Sequence, residues 1–174
     1  MSPGVRRAAL TAHIAASVGW FGAVVAVLGL SVVGLVSGNA ETVRGAYLVM
    51  EPVGWFVLVP LALASLLTGL VQSLGTTWGL FRHYWVVFKL LINLFATLVL
   101  LMYMRTLDHF ARLAAEPSLP SGDLSELRSP SPLLHAVLAL LLLLVAATLA
   151  VFKPRGLTPY GHRKLRERRP VRRA

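Results

Sequence analysis

The chain contains no cysteine. Disulfides, thiolate metal sites and cysteine nucleophiles are therefore excluded, and a metal or haem site would have to use His, Met, carboxylate or Tyr. Charge is scarce as well: 14% of the 174 residues are charged, against roughly a quarter in soluble proteins. There is no Gly-rich phosphate loop, no HExxH and no GxSxG, which removes the commonest soluble-enzyme signatures. No internal repeat stands out.

What the chain has instead is apolar residues, 56% of the total, over a length that suits one domain. A helix needs roughly 20 apolar residues to cross about 30 Å of hydrocarbon. Four segments qualify: Ile14–Val36, Val53–Val71 with an outward extension through Ala46–Met50, Tyr84–Met104 interrupted by Lys89 and Asn93, and Pro132–Phe152 with His135 near its start. The pattern predicts an all-α fold, a transmembrane four-helix bundle with helices over about 9–37, 46–73, 83–112 and 132–153. The membrane domain spans 1–156, and a basic tail follows over 157–174. The first apolar run is far longer than the roughly 7–15 residues of a signal-peptide h-region, so it reads as a retained helix.

The formal net charge is +10, and most of the excess lies after Phe152. These basic residues flank apolar spans, where Lys and Arg set orientation and meet anionic lipid headgroups. The partners read from this pattern are the bilayer and its anionic headgroups rather than nucleic acid. With four spans both termini share a side. That side holds 13 of the Lys and Arg residues, and the other holds Arg44, Arg105, Arg112 and Arg128. The bias places both termini in the cytoplasm of a bacterial plasma-membrane protein. The Arg-rich stretch after Gly161 reads as disordered or headgroup-bound.

Lipid is as apolar as leucine, so membrane helices associate through close packing and polar contacts. The first span is rich in small residues, with Ala15, Gly19 and Ala23 at steps of four and a GxxxG at Gly34 and Gly38. Such a face suits packing within the bundle or a homo- or hetero-oligomer. Pro60 frees the carbonyl of Phe56 and predicts a kink in the second helix. The longer loop from Leu107 to Pro130 should begin as a helical continuation of the third span and then become irregular.

Polar groups at membrane depth point to function, and they fall into two sets. The inner set is His13, Ser17 one turn deeper, Arg82, His83, Lys89, and Asn93 and Thr97 continuing the face of Lys89. Lys89 reads either as a snorkelling ammonium or, with Asn93, as a stripe facing the bundle. The outer set is Met50, Glu51, Met102, Met104, His109 and His135. Thioether and imidazole groups suit Cu(I), and paired His suit haem iron. Glu51 is equally a carboxylate at a helix start, and methionines are equally apolar filler.

Two motifs, His13-x6-Trp20-x-Gly22 and Trp85-x3-Lys89-Leu90, resemble the superfamily that includes the copper-resistance protein D family and the bacterial haem-binding protoporphyrinogen oxidase. The stretch Trp78–Trp85 and the run Lys153-Pro154-Arg155-Gly156 are similar to an uncharacterised group of four-helix integral membrane proteins related to them. The resemblance implies a four-helix bundle in which His13 takes the place of a haem-ligating histidine. Lys89 takes the place of a third-helix lysine able to meet a porphyrin propionate or an anionic quinone intermediate. The expected cofactor is haem b, bound by His13, with His83 as second axial ligand and Lys89 and Asn93 beside them. The competing expectations are a copper permease using Met50, Glu51, Met102, His109 and His135, and a structural subunit held by the first helix.

The orientation is open to direct test. A cytoplasm-active reporter fused after Ala174 should be active and a periplasm-active one silent; the reverse pattern would overturn the topology.

Overall fold

The first two helices begin where a side chain accepts from an orphan amide of the first turn. In the computed structural model, which describes residues 1–75, 79–116 and 124–167, helix α1 runs Pro3–Val36. Ser2 caps it by accepting from the Val5 amide at 3.4 Å, and Pro3 supplies a first-turn residue with no N–H to satisfy. After a break at Ser37–Gly38, the Asn39 side chain accepts from the Thr42 amide at 3.0 Å and starts α2, Ala40–Val53. A π-helical turn, Gly54–Leu58, joins α2 to α3, Val59–Gly75. Helix α4 covers Tyr84–Ala115, α5 Ser131–Phe152 and α6 Pro159–Glu167.

Four helical stretches are long and apolar enough to cross a membrane: α1, the continuous Ala40–Gly75 segment, α4 and α5. The chain is accordingly a multi-pass membrane protein. Its spans overrun the expected limits by several residues at the starts of the first two and the end of the third. Hydropathy registers only the apolar middle, whereas caps such as Ser2 and Asn39 carry the helices out through polar turns. The π-helical turn lies just before Pro60. Neither Pro52 nor Pro60 can donate to the turn before it, and the Val59 amide bonds instead to the Gly54 carbonyl. Gly54 is needed there, because a Cβ would lie 2.6 Å from Cε of Met104 on α4.

The first span packs against the second, the second against the third, the third against the fourth, and the fourth back against the first. Diagonal pairs make no such contact among the described residues, so the bundle is a closed ring in chain order. Its core is lopsided. Tyr47, Met50, Met104, Leu107 and Phe110 are buried together with Leu124 and Leu127 of the connection between α4 and α5. That end, opposite the termini, is further tied by Arg44, which donates to the Ala114 and Glu116 carbonyls, and by Arg128, which donates to the Ser37 carbonyl. As expected, the long connection starts as helix to Ala115 and is irregular around Leu124–Pro130; Pro117, Pro120 and Gly122 lie outside the described residues. Helix α5 buries only Pro132 and Ala136, both at this closed end. At the end carrying the termini, the ring therefore opens.

The basic tail is helical over much of what is described. Its described part, 157–167, contains α6, while residues 168–174 lie outside the described residues. Thr158 makes the difference: its hydroxyl accepts from the Gly161 amide at 3.1 Å, capping α6, and donates to the Phe81 carbonyl in the loop before α4. Its amide donates to the Arg82 carbonyl at 3.0 Å, and Leu157 forms a β-bridge with His83. A short polar helix carries no apolar stripe by which hydropathy could find it.

The Tyr47 hydroxyl donates to the Leu127 carbonyl inside the closed end. Tyr47→Phe should therefore lower stability by about 1–2 kcal/mol, the cost of stranding a buried carbonyl. Thermal unfolding in mild detergent should show a midpoint several degrees lower, and an unchanged midpoint would contradict this role.

Candidate functional site

Helix α1 carries His13 at the open end, facing α3. The imidazole Nδ1 lies 3.1 Å from the Ser65 carbonyl oxygen and 3.1 Å from Thr68 Oγ1. A carbonyl can only accept, so Nδ1 carries the proton. The Thr68 hydroxyl donates to the Ala64 carbonyl and is thereby left to accept from the same Nδ1–H. In the neutral ring the lone pair is then on Nε2, to which no described residue hydrogen-bonds. This is how proteins orient a histidine ligand: the distal nitrogen is tied to a backbone or side-chain acceptor and the other is presented. Gly69 makes room for the ring, since a Cβ there would sit 3.2 Å from Cε1.

The Ser65 hydroxyl binds the neighbouring helices together. It lies 2.9 Å from Ser17 Oγ of α1 and accepts from Asn93 Nδ2 of α4 at 3.3 Å. Ser65 itself is buried. Asn93 Oδ1 is also buried and accepts no hydrogen bond from any described residue. One turn before Asn93 on α4 is Lys89. Gln72 Nε2 donates to the Ala9 carbonyl at 2.9 Å and holds α3 to the first turns of α1.

These residues enclose a cavity of about 430 Å³ whose polar lining includes Arg6, His13, Gln72, Lys89, Asn93 and Lys153. Leu10, Ile14, Leu66 and Leu90 supply apolar wall, and no Asp or Glu lines it. A chamber with three cations, a presented imidazole nitrogen and aliphatic walls can hold a flat amphiphile that carries negative charge at one edge.

Of the inner set, the structure brings His13, Lys89 and Asn93 to this one cavity. His83 lines a separate cavity of about 610 Å³ beneath α6, together with Arg82, Arg155, His162 and Lys164. Trp85 and Lys153 line both cavities. His13 and His83 thus line different cavities with a common wall.

The outer set is dispersed. Met50 is wholly buried, and the Ser31 hydroxyl donates to its sulfur at 3.6 Å. Met102 is 75% exposed on the outside of the bundle. Glu51 is half-buried, and Met104 packs under Gly54. His109 pairs with Glu126 at 3.2 Å on the surface. His135 bonds through Nδ1 to the Ser131 carbonyl at 2.9 Å and stacks on Tyr103 with ring centroids 3.8 Å apart. Among the described residues no three His, Asp or Glu are gathered as metal ligands. Each outer residue has its own local setting, and the copper-site grouping is not assembled.

Ser65, Thr68, Gly69 and the cavity cation Arg6 were not singled out from the sequence, and Lys153 was named only within a motif and not as a site residue. A signal existed for two of them: Ser65 and Thr68 are hydroxyls three residues apart, hence on one face of an otherwise apolar helix. Arg6 and Lys153 come together only through the ring closure of the first and fourth spans. No family model matches the chain, and neither a curated protein nor a solved structure is significantly similar to it.

Proposed function

We propose that this multi-pass membrane protein holds haem b in the cavity beside His13, at the cytoplasmic face of a bacterial plasma membrane, as a redox or auxiliary protein. The observation that carries the reading is the commitment of His13 Nδ1 to the Ser65 carbonyl and Thr68 hydroxyl, which leaves Nε2 to act as an axial ligand. The donor set fits the group. Arg6, Lys89 and Lys153 would pair with propionates, and the aliphatic wall would meet the macrocycle. Bound haem would supply one-electron redox chemistry. His83 lines the neighbouring cavity rather than this one. The resemblance carried by His13, Trp20, Trp85 and Lys89 agrees with this reading.

A quinol is the second reading. It is favoured by Asn93 Oδ1, a buried acceptor with no donor among the described residues, which a quinol hydroxyl would satisfy.

Titration of the purified protein with hemin in mild detergent separates the two. The wild type should develop a Soret band that His13→Ala abolishes, while the variant stays monodisperse and helical. Lys89→Gln should keep the band but weaken retention by about tenfold, the scale of one lost charge-assisted contact. A wild type that stays colourless, or a band indifferent to His13→Ala, rejects haem. Quinone in the organic extract of a colourless protein then supports the second reading.

A further inference from the structure

The cavity beneath α6 is built rather than incidental. Two contacts to the loop before α4 close it: the Thr158 hydroxyl on the Phe81 carbonyl, and the bridge between His83 and Leu157, one of whose bonds is the Thr158 amide on the Arg82 carbonyl. The Tyr84 amide donates to the Gly156 carbonyl at 3.3 Å, fastening the chain just after α5 to the start of α4. Gly161 lies directly against the Arg82 carbonyl, where any Cβ would collide with backbone.

Its lining is strongly cationic. Arg82, Lys153, Arg155 and Lys164 contribute permanent charges, His83 and His162 add imidazoles, and among the described residues no Asp or Glu lines it. The nearby Glu167 carboxylate pairs with Lys164 at 2.8 Å. That contact holds the Glu167 carboxyl below the usual carboxylate range and partly offsets the Lys164 charge. Trp85, Pro154, Leu157 and Leu165 make the remaining wall apolar.

A backbone outlier lies at the same place. Lys153 ends α5 in the left-handed conformation, φ 42° and ψ 60°, and is the one non-glycine with positive φ among the described residues. Glycine is the usual residue there, and a side chain in that region costs on the order of 1 kcal/mol. The strained position keeps a lysine on the wall of the cavity where glycine would relieve the backbone.

We infer that this cavity binds the phosphate of an acidic phospholipid from the leaflet at the terminal end of the bundle. The depth is right: the walls are the last residue of the fourth span's cap and the first turns of the third, where headgroups lie. Arginine and lysine match a phosphodiester, while Trp85, Leu157 and Leu165 suit the glycerol and first acyl carbons. A soluble phosphate shares the anionic chemistry but has no use for the apolar wall. Lys153 and Trp85 line both cavities, but Arg155 and Lys164 line this one and not the one beside His13, so substituting those two tests this site apart from haem binding.

Native mass spectrometry of the detergent-solubilised full chain tests the inference, with phosphatidylglycerol, phosphatidylcholine and inorganic phosphate as probes. The wild type should bind one phosphatidylglycerol saturably and at least about tenfold more tightly than phosphatidylcholine. Arg155→Gln with Lys164→Gln should weaken that binding about thirtyfold, the scale of two lost headgroup cations. The charge-preserving pair Arg155→Lys with Lys164→Arg should retain it. Removing the same charge outside the described residues, by Arg172→Gln with Arg173→Gln, should leave it within about twofold. Equal binding of the two lipids, or equal loss in both charge-removing pairs, overturns the site. Displacement of phosphatidylglycerol by equimolar inorganic phosphate would assign the cavity to a soluble anion and overturn the lipid assignment.

Discussion

Inside a bilayer an apolar side chain gains little by leaving lipid for protein, so a few polar contacts decide how helices are rotated against one another. Here the deciding contact is at Ser65. Its carbonyl takes the His13 Nδ1–H, and its hydroxyl meets Ser17 and Asn93. One residue of the second span thereby sets the rotation of the first and third. Turn α1 away by a quarter and His13 would face lipid, its proton without an acceptor; turn α4 and Asn93 would lose its donor contact. The inward placement of Lys89, one turn from Asn93, follows from the same constraint. Its ammonium is a cavity group because Asn93 is tied to Ser65, even though a lysine at that depth might otherwise have snorkelled.

The two ends of the bundle are built on different physics. The closed end is packed: Tyr47, Met50, Met104 and Phe110 interlock with Leu124 and Leu127, and Gly54 lets α4 approach at the π-helical turn. The other end is held by hydrogen bonds at His13, Ser65 and Gln72 instead. There α5 buries nothing beyond its first turns, and polar residues and open volume take the place of a core. Two cavities occupy that end, divided by Trp85 and sharing Lys153. A rigid closed end with an open, cation-lined end is a workable arrangement for a protein that receives an amphiphile from the membrane plane.

Hydropathy made the four spans legible, because uninterrupted apolar length is a signal few other structures produce. Grouping by depth also located His13, Lys89 and Asn93, since residues of one stripe at similar heights must share a cavity when the stripe faces inward. The same logic failed for His83, which is at a similar depth but is drawn under α6 by its bridge to Leu157. It failed for the outer set as well. Depth alone does not tell Met50, on the buried face of α2, from Met102, on the lipid face of α4. α6 was hidden for another reason: what orders it is one threonine serving two segments 77 residues apart in sequence, a contact with no local pattern.

The haem reading of the inner cavity rests on one hydrogen atom, the proton on His13 Nδ1. The most direct measurement is the ¹⁵N–¹H correlation of histidine-labelled protein in detergent or bilayers, with His13 assigned by its disappearance in His13→Gln. The structure requires the Nδ1–H tautomer, with a bare Nε2 that broadens or shifts when hemin is added. An Nε2–H tautomer for His13, or an Nε2 signal that hemin leaves untouched, would contradict the account at its root.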